Sequence, residues 1–518
     1  MRTVEIVLSL VVVATVVATF ARRLRVPAPS LLVLAGVAVG LIPGTPAIRI
    51  TPALVSVVVL PPLLYAAGEA LPRHQLHRIW KPVTVLAVGL VAASAAAVAG
   101  ITVAITSISL PSAFMLGAVL ASTDPVAVTA LGRRLGLPER VQALVSAESL
   151  FNDATSLVLF RVALGAVLAG GSLSWGHAGV QFVQLAGGGA LIGAAMAFGV
   201  AAVRRRSDDP VLETVSALAT PYLVYVVAEA AHTSGVTAVV VTSLIVGVRT
   251  RRHTTARVRL QVDAVYDTVI FGLESVVFAL IGLQLPLLVQ NLPATQGGWP
   301  YQAVIVALTL VVVRVAWVFP ISALLQRRGG VRRPTWQTPA VVSWAGARGV
   351  VPLAAALSIP VTVTNGAILA DRDLVVLLAT AVIALTLVVQ GLSLGPLVRR
   401  AGLAGSGPDD DATTTTGRAL IGRARDHLDE LARLDAAPDH IVDRLRDSLD
   451  RRMAAEGRGP DDASTERLYR TVRRQLIAVE VEELDRLHEA GQIDEATRQR
   501  FQRALDLEDA ALDDLGSP

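Results

Sequence analysis

The 518-residue sequence contains no cysteine. Disulfides, thiolate metal sites, thiol nucleophiles and cysteine-linked haem or iron–sulfur centres are thereby excluded, and any chemistry must come from oxygen and nitrogen groups. Charge is scarce as well. Only 17% of the residues are charged against 53% apolar, a balance too apolar for one soluble domain and too patterned for disorder. The charge also divides by sign: residues 1–400 hold 29 Lys and Arg against 15 Asp and Glu, and the remainder holds 17 against 27. A basic, apolar portion is joined to an acidic tail. That tail lacks any nucleotide, kinase or zinc motif. The chain reads as a non-enzyme that uses no cofactor and binds no nucleic acid.

Residues 1–400 are a string of apolar runs, each near the roughly 20 residues that a helix needs to cross about 30 Å of hydrocarbon. Thirteen runs are expected, near 3–21, 29–43, 51–69, 82–106, 110–132, 139–169, 178–203, 211–231, 234–248, 264–290, 300–326, 337–360 and 373–397. The first is not a secretory signal, because Arg22, Arg23 and Arg25 follow the apolar run and Glu5 precedes it. Short cytoplasmic loops retain Arg and Lys. With thirteen spans, alternate loops carry 23 basic residues on one side and only Arg2, Arg49 and Arg372 on the other, which predicts an outside N-terminus and an inside C-terminus in the cytoplasmic membrane. After Arg400 a Gly, Ser, Thr and Asp linker over 401–417 leads to a tail, 418–518, with apolar residues at helical spacing, such as Leu468, Val472, Leu476 and Val479. A soluble cytoplasmic helical bundle or dimer-supporting helices is the expectation there, with a regulatory role for the unit as a whole.

An ionisable residue at mid-bilayer is costly unless paired or lining a polar cavity, so each is a functional candidate. The candidates are Glu69, Asp124, Glu148, Asp153, Arg161, Glu229, Glu274, Arg314 and Arg348. The densest cluster lies on the sixth run, where helical spacing stacks Glu148 with Asn152 and Ser149 with Asp153 on one face. Hard monovalent cations want such oxygens, and the alternative of a polar patch that only binds neighbouring helices needs fewer carboxylates. The fifth run is interrupted by Ser122-Thr123-Asp124-Pro125, where Pro125 removes a donor and frees carbonyls at mid-membrane depth. Thr123 at this break joins the candidate cation ligands, while Asp124 is read as a cap for the second half-helix. The twelfth run carries Trp344-Ala-Gly-Ala-Arg348-Gly-Val-Val-Pro352, again Gly- and Pro-interrupted. Runs five and twelve occupy matching places in two six-run blocks, the sign of an inverted repeat with two broken, crossing helices. Arg348 needs an anionic partner, with Glu148 as first choice and Glu274 as second. Glu69 is expected to meet water near a cytoplasmic end, Arg161 to sit toward the outside, and Glu229 and Arg314 to serve as helix-packing charges. His232 has an intrinsic pKa suited to pH sensing but is given no such role.

Around Glu148-Ser149-Leu150-Phe151-Asn152-Asp153 the sequence resembles the cation:proton antiporter-1 family of sodium/proton exchangers. The resemblance covers nearly all of 1–400 and includes Leu60-Pro61-Pro62, Thr123-Asp124-Pro125, Glu229 with Ser234-Gly235, Phe271-Gly-Leu-Glu274 and Gly346-Ala-Arg348-Gly349. It implies an all-α membrane protein that works as a homodimer, with a moving six-helix core. It further implies that Asn152 and Asp153 form the transport site, that Ser149 and Glu148 complete its polar shell, and that the buried Arg348 pairs with Glu148. The expected function is electroneutral exchange of a monovalent cation, Na+ and with it Li+, for H+ by alternating access. The physics is a competition: desolvation makes a carboxylate hold its proton more tightly, so proton and cation contend for one acid, here Asp153. The bound Na+ is expected on Asp153, Ser149 and Thr123. A K+/H+ exchanger of the same fold is the alternative, and a cation channel or a sensor stands further off.

Overall fold

The computed structural model describes residues 15–17, 19–21, 27–42, 55–71, 73–168, 175–204, 209–250, 256–290, 297–328, 335–362, 371–404, 410–434, 438–456, 463–490 and 495–514, with isolated positions between them. All regular elements among these residues are helical. The chain divides into two units, Met1–Gly407 and Pro408–Pro518.

The first unit contains α1 (Ala28–Gly40), α2 (Leu60–Ala70), α3 (Arg73–Thr84), α4 (Val91–Ile105), α5 (Leu110–Leu120), α6 (Val126–Leu135), α7 (Glu139–Leu168) and α8 (Trp175–Arg204). It continues with α9 (Pro210–Ala230), α10 (Gly235–Thr250), α11 (Ala256–Gln290), α12 (Trp299–Arg328), α13 (Gln337–Trp344), α14 (Val350–Leu357) and α15 (Arg372–Arg400). Short π-helical turns, Val55–Val59 and Val85–Leu90, lead into α2 and α4. Seven helical stretches are long and apolar enough to cross a membrane: Ile79–Ile105, Arg140–Leu168, Ala178–Arg204, Val211–Ala230, Val258–Gln290, Trp299–Arg327 and Arg372–Arg400. Shorter apolar helices cover Ala28–Gly40, Ser56–Ala70, Leu110–Leu120 and Gly235–Gly247. Helices lie on each of the expected runs two to thirteen, and α3 lies mostly between runs three and four, where a loop is expected; the run at 3–21 lies largely outside the described residues.

Burial separates the helices by environment. In α15, 83% of the most apolar window is enclosed, against 28% in α8 and α12. Helix α15 is therefore enclosed over most of its length, while α8 and α12 keep apolar flanks such as Val183, Leu191, Leu308 and Val312 exposed, as lipid-facing surfaces do. Close helix contacts rely on small residues. At the α1–α11 crossing a Cβ on Gly282 would strike the backbone of Val33, Gly36 and Val37, so that contact is backbone on backbone. The fifth and twelfth runs are broken, as their Pro and Gly interruptions predict. Residues 121–125 separate α5 from α6, and residues 345–349 separate α13 from α14.

The second unit holds α16 (Asp410–Arg433), α17 (Asp439–Glu456), α18 (Ala463–Glu489) and α19 (Glu495–Asp514). Helix α16 begins inside the segment expected as a linker over 401–417. Helices α16 and α17 pack together through Arg446–Asp429 and Arg425–Asp450 pairs, and α18 and α19 through Arg473–Glu508 and Arg474–Asp509. The Arg473 guanidinium holds the Glu508 carboxyl below the usual glutamate range.

Candidate functional site at two broken helices

Helix α7 packs against α5 and passes the break that ends it. Pro125 has no amide hydrogen and disfavours helical geometry at Asp124, so the backbone groups of 121–125 need partners outside the helical ladder. Side chains of α7 supply several. Ser149 Oγ donates to the Thr123 carbonyl at 2.5 Å, and Asn152 Nδ2 donates to Thr123 Oγ1 at 2.6 Å. The Thr123 amide donates to Asn152 Oδ1 at 3.4 Å. One turn further, Ser156 Oγ donates to the Ala118 carbonyl at 2.7 Å. Ser122 Oγ donates to Asp153 Oδ1. Glu148, Ser149, Asn152 and Asp153 thus lie along the break, as their helical spacing predicts.

The second break meets the first. The Asp124 amide donates to the Ala347 carbonyl at 2.7 Å, and Arg348 Nη1 donates to the carbonyls of Ala121 and Ser122 at 2.9 and 2.7 Å. The Arg348 amide donates in turn to Thr386 Oγ1 on α15 at 3.3 Å. Asp124 caps α6, its Oδ1 accepting from the Val126 amide at 2.9 Å, and the Val350 amide at the start of α14 also points to it. One carboxylate therefore serves the positive ends of two half-helices. The approach depends on Gly349, because a Cβ there would fall on the Asp124 carboxylate.

Glu148 does not pair with Arg348. Its two oxygens accept from Arg314 Nη1 and Nη2 at 2.5 and 2.9 Å, a bidentate pair with both side chains at most 2% exposed. Arg314 is positioned from α12 and also donates Nε to the Val342 carbonyl at 3.1 Å. Arg348 instead neutralises the exposed carbonyl ends at the α5 break, and Glu274, the second candidate, forms no ion pair with it among the described residues. The physical reason is geometry that spacing along one chain does not encode: α12 reaches Glu148 from the side, while the α13–α14 break faces the backbone of 121–122.

The peripheral charges are paired as well. Arg161 Nη2 lies 2.5 Å from Glu229 Oε1, and that oxygen also accepts from the Gly235 amide at 3.0 Å, capping α10. Glu229 and Arg314 are therefore not partners of one another. Glu69, expected to meet water, lies 3.5 Å from Arg204, with about a fifth of its side chain exposed. His232 occupies a left-handed turn with φ 55° between α9 and α10.

Residues 10–400 match the family described as "Sodium/hydrogen exchanger, transmembrane". The chain belongs to this family. It is a family of transporters rather than enzymes, and its members are multi-pass membrane proteins. An uncharacterized Na(+)/H(+) exchanger of Mycobacterium tuberculosis is 32% identical to this exchanger-family chain over 530 residues, 98% of this chain and 96% of the relative. The Na(+)/H(+) antiporter ApNhaP of Aphanothece halophytica is 32% identical over 469 residues, 89% and 86% of the two chains. A sodium, potassium, lithium and rubidium/H(+) antiporter of Bacillus pumilus is 33% identical over 385 residues, 71% of this chain and 57% of that one. The sodium proton antiporter MjNhaP1 of Methanocaldococcus jannaschii, solved at pH 8, shares the fold with a TM-score of 0.64 at 21% identity, covering 77% of this chain and 99% of that one.

For two contributors the sequence predicts smaller roles than they have, Ser122 as part of the break and Arg314 as a helix-packing charge. Ser122 appears there only as part of the break, although its hydroxyl meets Asp153. Arg314 stands alone in a long apolar run, and that isolation is the signal that it needs a buried anion.

Proposed function

We propose that the chain exchanges Na+, and Li+ in the same way, for H+ across the cytoplasmic membrane, with Asp153 as the acid that cation and proton share. The observation that carries this reading is the contrast between two buried carboxylates on α7. Glu148 is held by a bidentate arginine, whereas Asp153, 7% exposed, forms no ion pair among the described residues and accepts from a neutral hydroxyl. A paired carboxylate has no reason to take up a cation. An unpaired buried one is stabilised by either H+ or Na+.

Exchange follows from the cost of moving charge. An empty, ionised Asp153 resists passage through an apolar constriction, and neutralisation by either substrate lowers that barrier, so the site changes sides only when occupied. Asn152, locked to Thr123, cannot titrate and serves to orient the break. Ser149 and Thr123 complete the expected cation shell beside Asp153, with Glu148 paired to Arg314, Asp124 compensating two helix ends and Arg348 compensating the carbonyls. Thirteen spans, an outside N-terminus, a cytoplasmic tail and a homodimer complete the reading. Transport of K+ by the same site is a second reading, favoured by the similarity to the Bacillus pumilus antiporter, whose name includes potassium.

Proteoliposomes with an imposed pH gradient test the function. Added Na+ or Li+ should dissipate the gradient. The Asp153→Asn variant should insert normally and show no cation-driven proton movement, because an amide cannot trade a proton for a cation. Proton-coupled Na+ flux in that variant would sink the assignment, and K+ added in place of Na+ decides the second reading.

A further inference from the structure

We infer that α3 is an anchor for anionic phospholipid, its outer face taking the headgroups of the leaflet in which the helix begins. The inference needs a chain that spans a membrane, which the family shows, and does not depend on the exchange reaction. No acidic residue occurs from Arg73 to Thr84, whereas Arg73, His74, His77, Arg78 and Lys81 all do. Helical spacing sorts these onto one side. Arg73 and His77 align with Trp80 and Thr84, and His74 and Arg78 align with Lys81 and Val85. Trp80, Lys81, Thr84 and Val85 are exposed, Trp80 by 54%. The other side of the helix carries Ile79 and Val83, which are buried against Ala143 and Ala147 of α7. The basic register positions therefore lie opposite the packed face.

Position along the helix sets the depth. The helical path runs without a gap from Arg73 through the π-helical turn to Ile105, and about 20 residues of it suffice to cross the hydrocarbon. Its first turns therefore lie in the headgroup layer. The exposed stripe changes chemistry at the same level: Val85 and Val88, 40% and 46% exposed, continue it toward the hydrocarbon, and Trp80 and Lys81 stand just before them. Lys81 Nζ lies 5.7 Å from the centre of the Trp80 ring, so indole and ammonium occupy one level, as aromatic and basic residues at a membrane–water interface do. Lys and Arg clustered at that level attract anionic headgroups, each strengthening the attraction about fivefold. A zwitterionic headgroup offers no net charge in return. The buried face of the same helix meets α7 at Ala147, next to Glu148, so a bound headgroup also braces the helix that carries the site.

The test places the full-length protein in vesicles of phosphatidylcholine and phosphatidylglycerol, with brominated acyl chains on one lipid or the other. Emission of Trp80 is obtained by difference from Trp80→Phe. At equal mole fraction, bromine on phosphatidylglycerol should quench Trp80 at least about twofold more than bromine on phosphatidylcholine, and added salt should shrink the difference. The triple variant Arg73→Gln, Arg78→Gln, Lys81→Gln should show equal quenching by the two lipids. A control with Arg327→Gln, Arg399→Gln and Arg400→Gln removes the same charge from exposed positions on α12 and α15 and should keep the preference. In detergent, added phosphatidylglycerol should raise the melting temperature of the unsubstituted protein and of the control but not of the triple variant. Equal quenching in the unsubstituted protein, a preference that survives in the triple variant, or one lost equally in the control overturns the assignment. An equal rise in melting temperature with inorganic phosphate alone would reveal a small-anion site and overturns it too. If the triple variant does not fold, the single change Lys81→Gln decides: its preference should fall, and an unchanged one overturns the anchor.

Discussion

Each buried charge on α7 finds a different solution to the same problem of low dielectric. Glu148 is solved by a fixed partner, and the consequence is measurable. Removing one member of a buried pair leaves the other uncompensated at about 3–5 kcal/mol, so Glu148→Ala and Arg314→Ala should each lower thermal stability strongly. The double variant should lose clearly less than the two together, whereas Glu148→Ala with Arg348→Ala should come closer to additivity, since those side chains do not pair. Equal coupling in both cycles would reverse the pairing described here. Asp153 is solved by exchangeable partners instead. Asn152 cannot carry a proton and the Glu148 carboxylate already has its bidentate partner in Arg314, so one cation should leave for one proton. A membrane potential, worth about 2.3 kcal/mol per net charge per 100 mV, then has nothing to drive. Potassium and valinomycin clamp the potential while Na+-driven pH change is followed; a shift of the equilibrium pH gradient with voltage would reveal a second moving charge.

At the level of elements, the closest approach of the two breaks is set at Gly349. Gly349 lets the start of α14 lie against Asp124, and a methyl group at that position has nowhere to go but into the carboxylate. Gly349→Ala should cost about 1–3 kcal/mol through overpacking and should impair exchange more than stability, because it separates the half-helices at the site itself. Gly272→Ala on α11, where an added Cβ meets open space, is the control and should behave as wild type. The end of α15 yields a second expectation. Gly402, with φ 67°, closes the helix: its amide bonds to the Arg399 carbonyl at 3.1 Å, and the Leu403 amide bonds to Val398 at 3.2 Å. Leu403 also packs on the apolar cluster around Leu394 and Val398. Truncation after Gly407 should leave a folded transporter with an altered rate or activation pH. Truncation after Arg400 removes this cap and should lower the melting temperature measurably below that of the longer form. Identical melting of the two truncated forms would mean that the cap contributes nothing.

Over the whole molecule, the helical class, the positions of the breaks and the oxygen cluster on α7 were legible from the chain alone. Run length, the position of Pro125 and the fourfold spacing of Glu148 and Asn152 are local properties, set by backbone geometry and by the solvent that a 20-residue apolar segment requires. The partners of the charges were not legible. Arg314 and Glu148 are 166 residues apart, Arg161 and Glu229 are 68 apart, and nothing in the spacing of either pair announces the other. Arg348 looked like the natural counter-ion because it lies at the second break, yet only the crossing of α13–α14 with α5–α6 decides that its guanidinium reaches carbonyls. The same crossing turns Ser122 from a residue at a helix end into the neighbour of Asp153. The chain by itself determines where charge must be buried, because burial follows from apolar run length. Which opposite charge or dipole compensates it is decided by the packing of helices distant in sequence, since electrostatic pairing depends on separations of a few ångströms that only the tertiary structure sets.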